Sequence, residues 1–120
     1  MKIIIADDSN FVRTIISKSI SKELPNSQIR LCNNGKEALD AYNEINPDWL
    51  ITDLLMPEMS GQQLLNNLHA QGKNGKYIVI SADVQKGTKE EVEIYGIVTF
   101  INKPLTQDKL QILVDLIRGE

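Results

Sequence analysis

The chain has 120 residues, a formal net charge of -3, 24% charged residues and a single cysteine. That length supports one domain, spanning residues 1–120, with its own core and no need of a disulfide or metal staple. Acids and bases mixed along the chain exclude the footprint of a nucleic-acid or anionic-membrane binder, the lone Cys32 excludes an internal disulfide, and the first apolar run is ended by acids too soon for a signal peptide or membrane span, so a cytoplasmic domain is expected.

Lys2–Ala6 is a short β-branched run closed by Asp7-Asp8, the pattern of a buried strand that ends in carboxylates. Ser9 or Asn10 then caps a helix whose positions Val12, Ile15, Ile16, Ser19 and Ile20 keep the three-four spacing of one buried face, and Pro25-Asn26 stops it. Gln28–Cys32 reads as a second, weaker strand, with Cys32 as a small filler. Asn34-Gly35 turns into a second helix with Ala38, Leu39, Tyr42 and Ile45 inward, ended by Asn46-Pro47-Asp48.

Trp49, Leu50 and Ile51 read as a third strand covered on both faces, which runs into a solitary acid, Asp53, before the chain breaks at Met56-Pro57. Residues 62–70 carry Leu64, Leu65 and Leu68 at helical spacing, residues 71–75 are a loop by composition, and residues 77–80 form a fourth buried strand ending at Ser81. Residues 83–95 are mostly charged, with only Val84, Val92, Ile94 and Tyr95 as anchors, and predict the least stable helix. Residues 96–101 make a fifth strand leading to Asn102-Lys103-Pro104, and Thr106 caps a last helix with Leu110, Leu113, Val114 and Ile117 inward.

Five strands alternating with five helices predict an α/β, doubly wound parallel sheet of flavodoxin-like order 2-1-3-4-5 with right-handed crossovers. In that order strands one and three are neighbours, so Asp7, Asp8 and Asp53 meet in one crevice, with Ser81 and Lys103 ending the next two strands on the same edge. Three carboxylates in one place repel one another unless a cation sits among them. Mg²⁺ suits such a set, with Mn²⁺ as a substitute, because it is hard and takes one or two carboxylates together with waters and a phosphoryl oxygen. One carboxylate remains free as a nucleophile, and an ammonium and a hydroxyl across the crevice suit a phosphoryl group, so the set fits phosphoryl transfer to an aspartate.

These residues in order, Asp7-Asp8, the run Asn34-Gly35-Lys36-Glu37-Ala38-Leu39, Asp53 with Met56-Pro57 and Ser60-Gly61, Ser81-Ala82, and Phe100-Ile101-Asn102-Lys103-Pro104, make the chain resemble a receiver domain of the two-component response regulators, of the stand-alone chemotaxis type. The resemblance covers essentially the whole chain. It implies that Asp53 is the phosphoacceptor, Asp8 a direct metal ligand, Asp7 a ligand through water, and the Leu55 carbonyl a further metal contact. It also implies that Lys103 pairs with the phosphoryl group, that Ser81 bonds a phosphoryl oxygen and draws its loop inward, that Phe100 swings toward the vacated space, and that Pro104 takes a cis bond. The implied partners are a sensor histidine kinase or phosphotransfer protein as donor and a downstream protein on the face from Asp83 to Ile117. Its chemistry is its own phosphorylation and dephosphorylation, without turnover of a separate substrate.

Each residue also has a plainer role. Ser81 alone would be a loop cap, Phe100 core, Trp49 and Tyr77 strand packing, Met56 and Met59 loop packing, and His69 a surface histidine. Leu55 offers no polar group to a hydrolytic water and Asp83 adds negative charge nearby, which predicts a long-lived phosphoryl group. Phe100 has no hydroxyl to offer, so recognition there should lean on apolar contacts. Two other classes stay open: a Mg²⁺-dependent aspartyl-phosphate phosphatase, which Leu55 disfavours because those enzymes carry a second acid at that place, and a flavodoxin-like cofactor carrier, which would need a phosphate-binding loop where Asp7-Asp8 stand. A receiver that is part of a longer regulator is a further alternative.

Overall fold

The computed structural model describes residues 1–83 and 85–119, and the backbone alone of Lys86. Its elements run β1 (Lys2–Ala6), α1 (Asn10–Glu23), β2 (Gln28–Cys32), α2 (Gly35–Ile45), β3 (Trp49–Asp53), α3 (Gly61–Ala70), β4 (Lys76–Ser81), α4 (Lys86–Glu93), β5 (Thr99–Asn102) and α5 (Gln107–Arg118). The strands form one parallel sheet in the order β2-β1-β3-β4-β5. The doubly wound architecture and the strand order are those expected from the alternation of strand and helix patterns.

Period-two alternation sends the strand side chains into two separate cores. Ile4, Ala6, Leu50, Tyr77 and Val79 pack under α2 and α3, and Val92 of α4 joins them. Ile3, Ile5, Trp49, Ile51, Ile78 and Ile80 pack under Ile16 and Ile20 of α1 and the inner face of α5. Covering both faces leaves all five residues of β3 buried, which is why that segment reads as a continuous apolar run up to its acid.

The caps explain where the helices begin. The Oγ atoms of Ser9, Ser60 and Thr106 accept backbone N–H groups of Val12, Gln63 and Lys109, and Asn34 Oδ1 does the same for Glu37. At α3 the capping is reciprocal, because Gln63 Oε1 accepts the Ser60 N–H at 2.9 Å. Asn46 closes α2 in the left-handed region, φ 47°, with its N–H on the Tyr42 carbonyl.

Several boundaries differ from the sequence expectation. α4 starts at Lys86 rather than near residue 83, since Gln85 is still extended and makes no side-chain cap, and of its expected anchors among the described residues only Val92 is buried. Val84 lies outside the described residues, and Ile94 is 72% exposed. β5 is Thr99–Asn102 and not residues 96–101, because Gly96 takes a left-handed turn, φ 72°, and the first contact with the sheet is Val98 N–H to the Tyr77 carbonyl. On α2 the deepest residues are Gly35, Ala38, Ala41 and Tyr42, with Leu39 and Ile45 only half-buried. Small residues let that helix lie close: Gly35 touches the Met59 carbonyl, where a Cβ would overlap it.

Candidate functional site

The register of β1 on β3 pairs Ala6 with Thr52, so the next residues, Asp7 and Asp53, emerge side by side at the carboxyl edge of the sheet. β4 and β5 end at Ser81 and Asn102 in register, which brings Lys103 to the same edge. The fold thus gathers Asp7, Asp8, Asp53, Ser81 and Lys103 as the order 2-1-3-4-5 requires, at the switch point where open α/β sheets bind ligands.

Asp7 is 2% exposed and tied at every polar atom. Its Oδ1 accepts the Ser9 N–H at 2.9 Å, its Oδ2 lies 2.9 Å from Lys103 Nζ, and its carbonyl accepts Arg13 Nη1 at 2.6 Å. Asp53, 6% exposed, has its Oδ1 on the Leu54 N–H at 2.7 Å and its Oδ2 3.0 Å from Lys103 Nζ. Asp8 is exposed, yet it presents a carboxylate oxygen that lies with one each from Asp7 and Asp53 within 4.8 Å of one another. Lys103 is placed at both ends: its N–H donates to the Ser81 carbonyl at 2.9 Å, its Nζ bridges the two buried acids, and the following bond to Pro104 is cis.

Burial pushes the Asp53 carboxyl above its ordinary value, and the charge of Asp7 adds to that, while the bonds from Lys103 and the Leu54 N–H pull the other way. Burial opposes the charge of Lys103, but its bonds to Asp7 and Asp53 prevail and hold its ammonium up. Three carboxylates against one ammonium leave two negative charges in excess when all are ionised. A donor set made only of oxygens with that deficit fits one hard divalent cation and suits softer or singly charged ions poorly.

A cavity of about 370 Å³ opens over these groups, lined by Asp8, Asp53, Leu55, Ser60, Gln62, Ser81, Asp83, Thr88 and Lys103 among others. Leu55 is 82% exposed, with an apolar side chain at the rim. Ser81 is buried and its Oγ accepts the Asp83 N–H at 3.1 Å. The Asp83 carboxylate is committed elsewhere: Oδ1 accepts the Gln85 N–H at 2.9 Å and Oδ2 the Thr88 hydroxyl at 2.7 Å, bonds that hold its carboxyl below the ordinary range. Its charge therefore serves the start of α4 as well as the cavity.

Phe100 is half-buried and packs against the core under α2 and α3 while lining a second cavity of about 420 Å³ with Lys89, Lys109 and Ile112. On the expected partner face Ile94, Val98 and Ile112 are exposed, but Ile117 is 3% exposed and belongs to the core with α1, so its side chain is not part of that face. His69 sits edge-on to Tyr95 at 5.7 Å, outside the acid cluster. Met56 is buried and Met59 packs on the core, in the structural roles expected of them. Cys32 is also buried, which raises its thiol to about 11 and leaves it unreactive. Among the described residues no helix is long and apolar enough to cross a membrane.

Sequence reasoning missed Arg13, Thr88 and Gln62. Arg13 had a signal: it lies in the first turns of α1, and helical side chains point back toward the helix N-terminus, here toward the Asp7 carbonyl. Thr88 and Gln62 enter the cavity through the placing of α4 beside α3, which no local pattern encodes.

Comparison with known proteins follows the same lines. Residues 3–115 match the family model of the response regulator receiver domain. The chain is 36% identical over 110 residues to the chemotaxis protein CheY of Listeria monocytogenes, covering 92% of both chains. It is 31% identical over 112 residues to the chemotaxis protein CheY of Thermotoga maritima, covering 91% of this chain and 90% of that one. The structure superposes with a TM-score of 0.87 and 30% identity on a chain of the CheX-CheY-BeF3-Mg complex of Borrelia burgdorferi, covering 100% of this chain and 90% of that one. The carboxylate-lined crevice, the strand order and these matches agree: the chain belongs to the response regulator receiver domains, phosphorylation-dependent switches of two-component signalling.

Proposed function

We propose that Asp53 is the phosphoacceptor of a stand-alone receiver. One of its carboxylate oxygens attacks the phosphorus of a phosphohistidine, the P–N bond breaks and the imidazole leaves, so that an acyl phosphate forms on Asp53. The observation that carries this reading is the buried Asp53 carboxylate held 3.0 Å from Lys103 inside an acid cluster with two negative charges to spare.

Asp8 and Asp53 would hold Mg²⁺ directly, with the Leu55 carbonyl, and Asp7 through water; Mn²⁺ would serve in its place. The bound cation supplies neutralisation of charge on the phosphoryl oxygens. Asp7 suits the indirect role because both of its carboxylate oxygens already have partners. Lys103 exchanges its Asp53 contact for a phosphoryl oxygen, and the Ser81 hydroxyl donates to another. Phe100, half-buried over a cavity, has room to follow that loop. Leu55 orients no water, so the phosphoryl group should outlast one in a site with a polar group there.

The donor would be a sensor histidine kinase or a phosphotransfer protein, and the state would pass to a protein partner on the face that includes Asp83, Ile94, Val98, Phe100 and Ile112. Near full-length similarity to the Listeria and Thermotoga CheY proteins supports a chemotaxis setting and a module that acts by itself. Incubation with Mg²⁺ and acetyl phosphate should add one phosphoryl group to the intact mass, and Asp53→Asn should add none. No gain in the parent protein would sink the assignment of Asp53.

A further inference from the structure

α4 is attached to the rest of the domain by few groups. Val92 is its one buried side chain among the described residues, and Gln85 at its N-cap contributes no side-chain bond. Its outer contacts go to α3, through Gln62 Nε2 to Glu91 Oε2 at 2.6 Å. Just past its end, the Tyr95 hydroxyl bonds Asn66. Its first turn is held by Asp83, an exposed residue outside the helix, which accepts the Gln85 N–H and the Thr88 hydroxyl on separate carboxylate oxygens. Asp83 in turn donates its own N–H to Ser81 Oγ. Ser81, Asp83 and Thr88 all line the cavity over Asp53.

We infer that Asp83 is a positioning residue that links the hydroxyl of Ser81 to the first turn of α4, so that the state of Asp53 is reported as the tightness of that turn. This rests on the reading of Asp53 as phosphoacceptor. A hydroxyl oxygen can accept one bond while its hydrogen is donated elsewhere, so Ser81 can keep the Asp83 N–H while turning its O–H toward a phosphoryl oxygen. Turning Ser81 carries the Asp83 backbone with it. The carboxylate then draws Gln85 and Thr88 along or lets them go, and in either case the backbone bonds of the first turn change. Because α4 is anchored at its far end by Val92, the change is confined to the end nearest the cavity. Asp83 is thereby more than a charge beside the phosphoryl group: its carboxylate is turned to the helix, and its backbone to the switch hydroxyl.

The test is amide hydrogen exchange across residues 85–95 with and without beryllofluoride and Mg²⁺, read beside the intact-mass gain from acetyl phosphate. The parent protein should change its exchange in the first turn of α4. Asp83→Ala and Thr88→Val, each loaded with beryllofluoride and Mg²⁺ to the same occupancy as the parent, should lose that change. Asp83→Asn should keep it, since an amide oxygen accepts the Gln85 N–H and the amide nitrogen can donate to Thr88 Oγ1. A residue that only stabilises α4 would alter exchange equally in both states. If the alanine and valine variants respond like the parent, or if the parent is phosphorylated without a change in α4, the link is overturned and Asp53 stands. If the parent gains no phosphoryl group, the reading of Asp53 falls and takes the link with it.

Discussion

The two sides of the crevice are built to opposite specifications. On the β1–β3 side Asp7 and Asp53 are 2% and 6% exposed, each carboxylate oxygen has a partner, and the start of α3 is pressed on the back of Asp53 with no room for a Cβ at Gly61. On the β4–β5 side Ser81 leads at once to an exposed Asp83, and the more charged α4 buries only Val92 among its described residues, where α5 buries Leu110, Leu113, Val114 and Ile117. The proposed chemistry would thus sit on the more buried side of the crevice, and the proposed responding element on the more exposed one. A phosphoryl group a few atoms in size can shift only an element whose two arrangements differ by little.

Adding one methyl group to each side breaks this contrast most directly. Gly61→Ala forces a Cβ onto the Asp53 carbonyl and should cost about 3 kcal/mol, seen as a lower urea midpoint with an unchanged slope. A loss under about 0.5 kcal/mol, the range of surface changes, would mean that α3 is free to slide there.

Removing the charge of the proposed acceptor comes next. Asp53→Asn should raise stability in metal-free buffer near neutral pH, because the folded state holds that carboxylate against burial and the charge of Asp7. The sign follows from the raised carboxyl: the folded state binds the proton more tightly, so the stability this contributes is fully present below the ordinary value of 3.8 and is lost as pH rises through the raised one. Melting curves of the two proteins should therefore nearly coincide at low pH and separate as pH rises, with the variant above. Curves that stay parallel would mean that Lys103 already compensates the charge in full.

The loose side should answer with gains. An added Cβ at Gly87 meets nothing within 4 Å, so Gly87→Ala should stabilise α4 by about 0.5–1 kcal/mol, visible as slower amide exchange in that helix. Smallest of all is the Lys89–Glu93 pair, 3.9 Å apart with both side chains more than half exposed; Lys89→Ala should change stability by about 0.5 kcal/mol or less and still less at high salt.

How much of this is legible in the sequence follows the same division. Asp7, Asp53 and Lys103 stand at the ends of short apolar runs that read as buried strands, and once the strand order is fixed their meeting is a matter of topology. α4 was harder. Its charged residues suit a helix anywhere from 83 to 95, and what sets its true start is a tertiary arrangement: Gln85 extended, with Asp83 reaching forward to cap the turn. Val98 and Ile97 have strand-forming side chains, but the left-handed turn at Gly96 delays the sheet to Thr99. Ile117 was legible as an inward position of α5 from its spacing with Leu110, Leu113 and Val114, and it is buried with them.

Lys103 has one more consequence. Its ammonium already sits between Asp7 and Asp53 at 2.9 and 3.0 Å, so the crevice owns a counter-ion on a tether that cannot diffuse away. Entry of a dissolved cation would then be an exchange against a resident competitor, and its affinity would report a difference between two occupants. Such a site would keep part of its charge compensated while waiting and would discriminate by valence, because a singly charged ion cannot offset the two negative charges that the lysine leaves over.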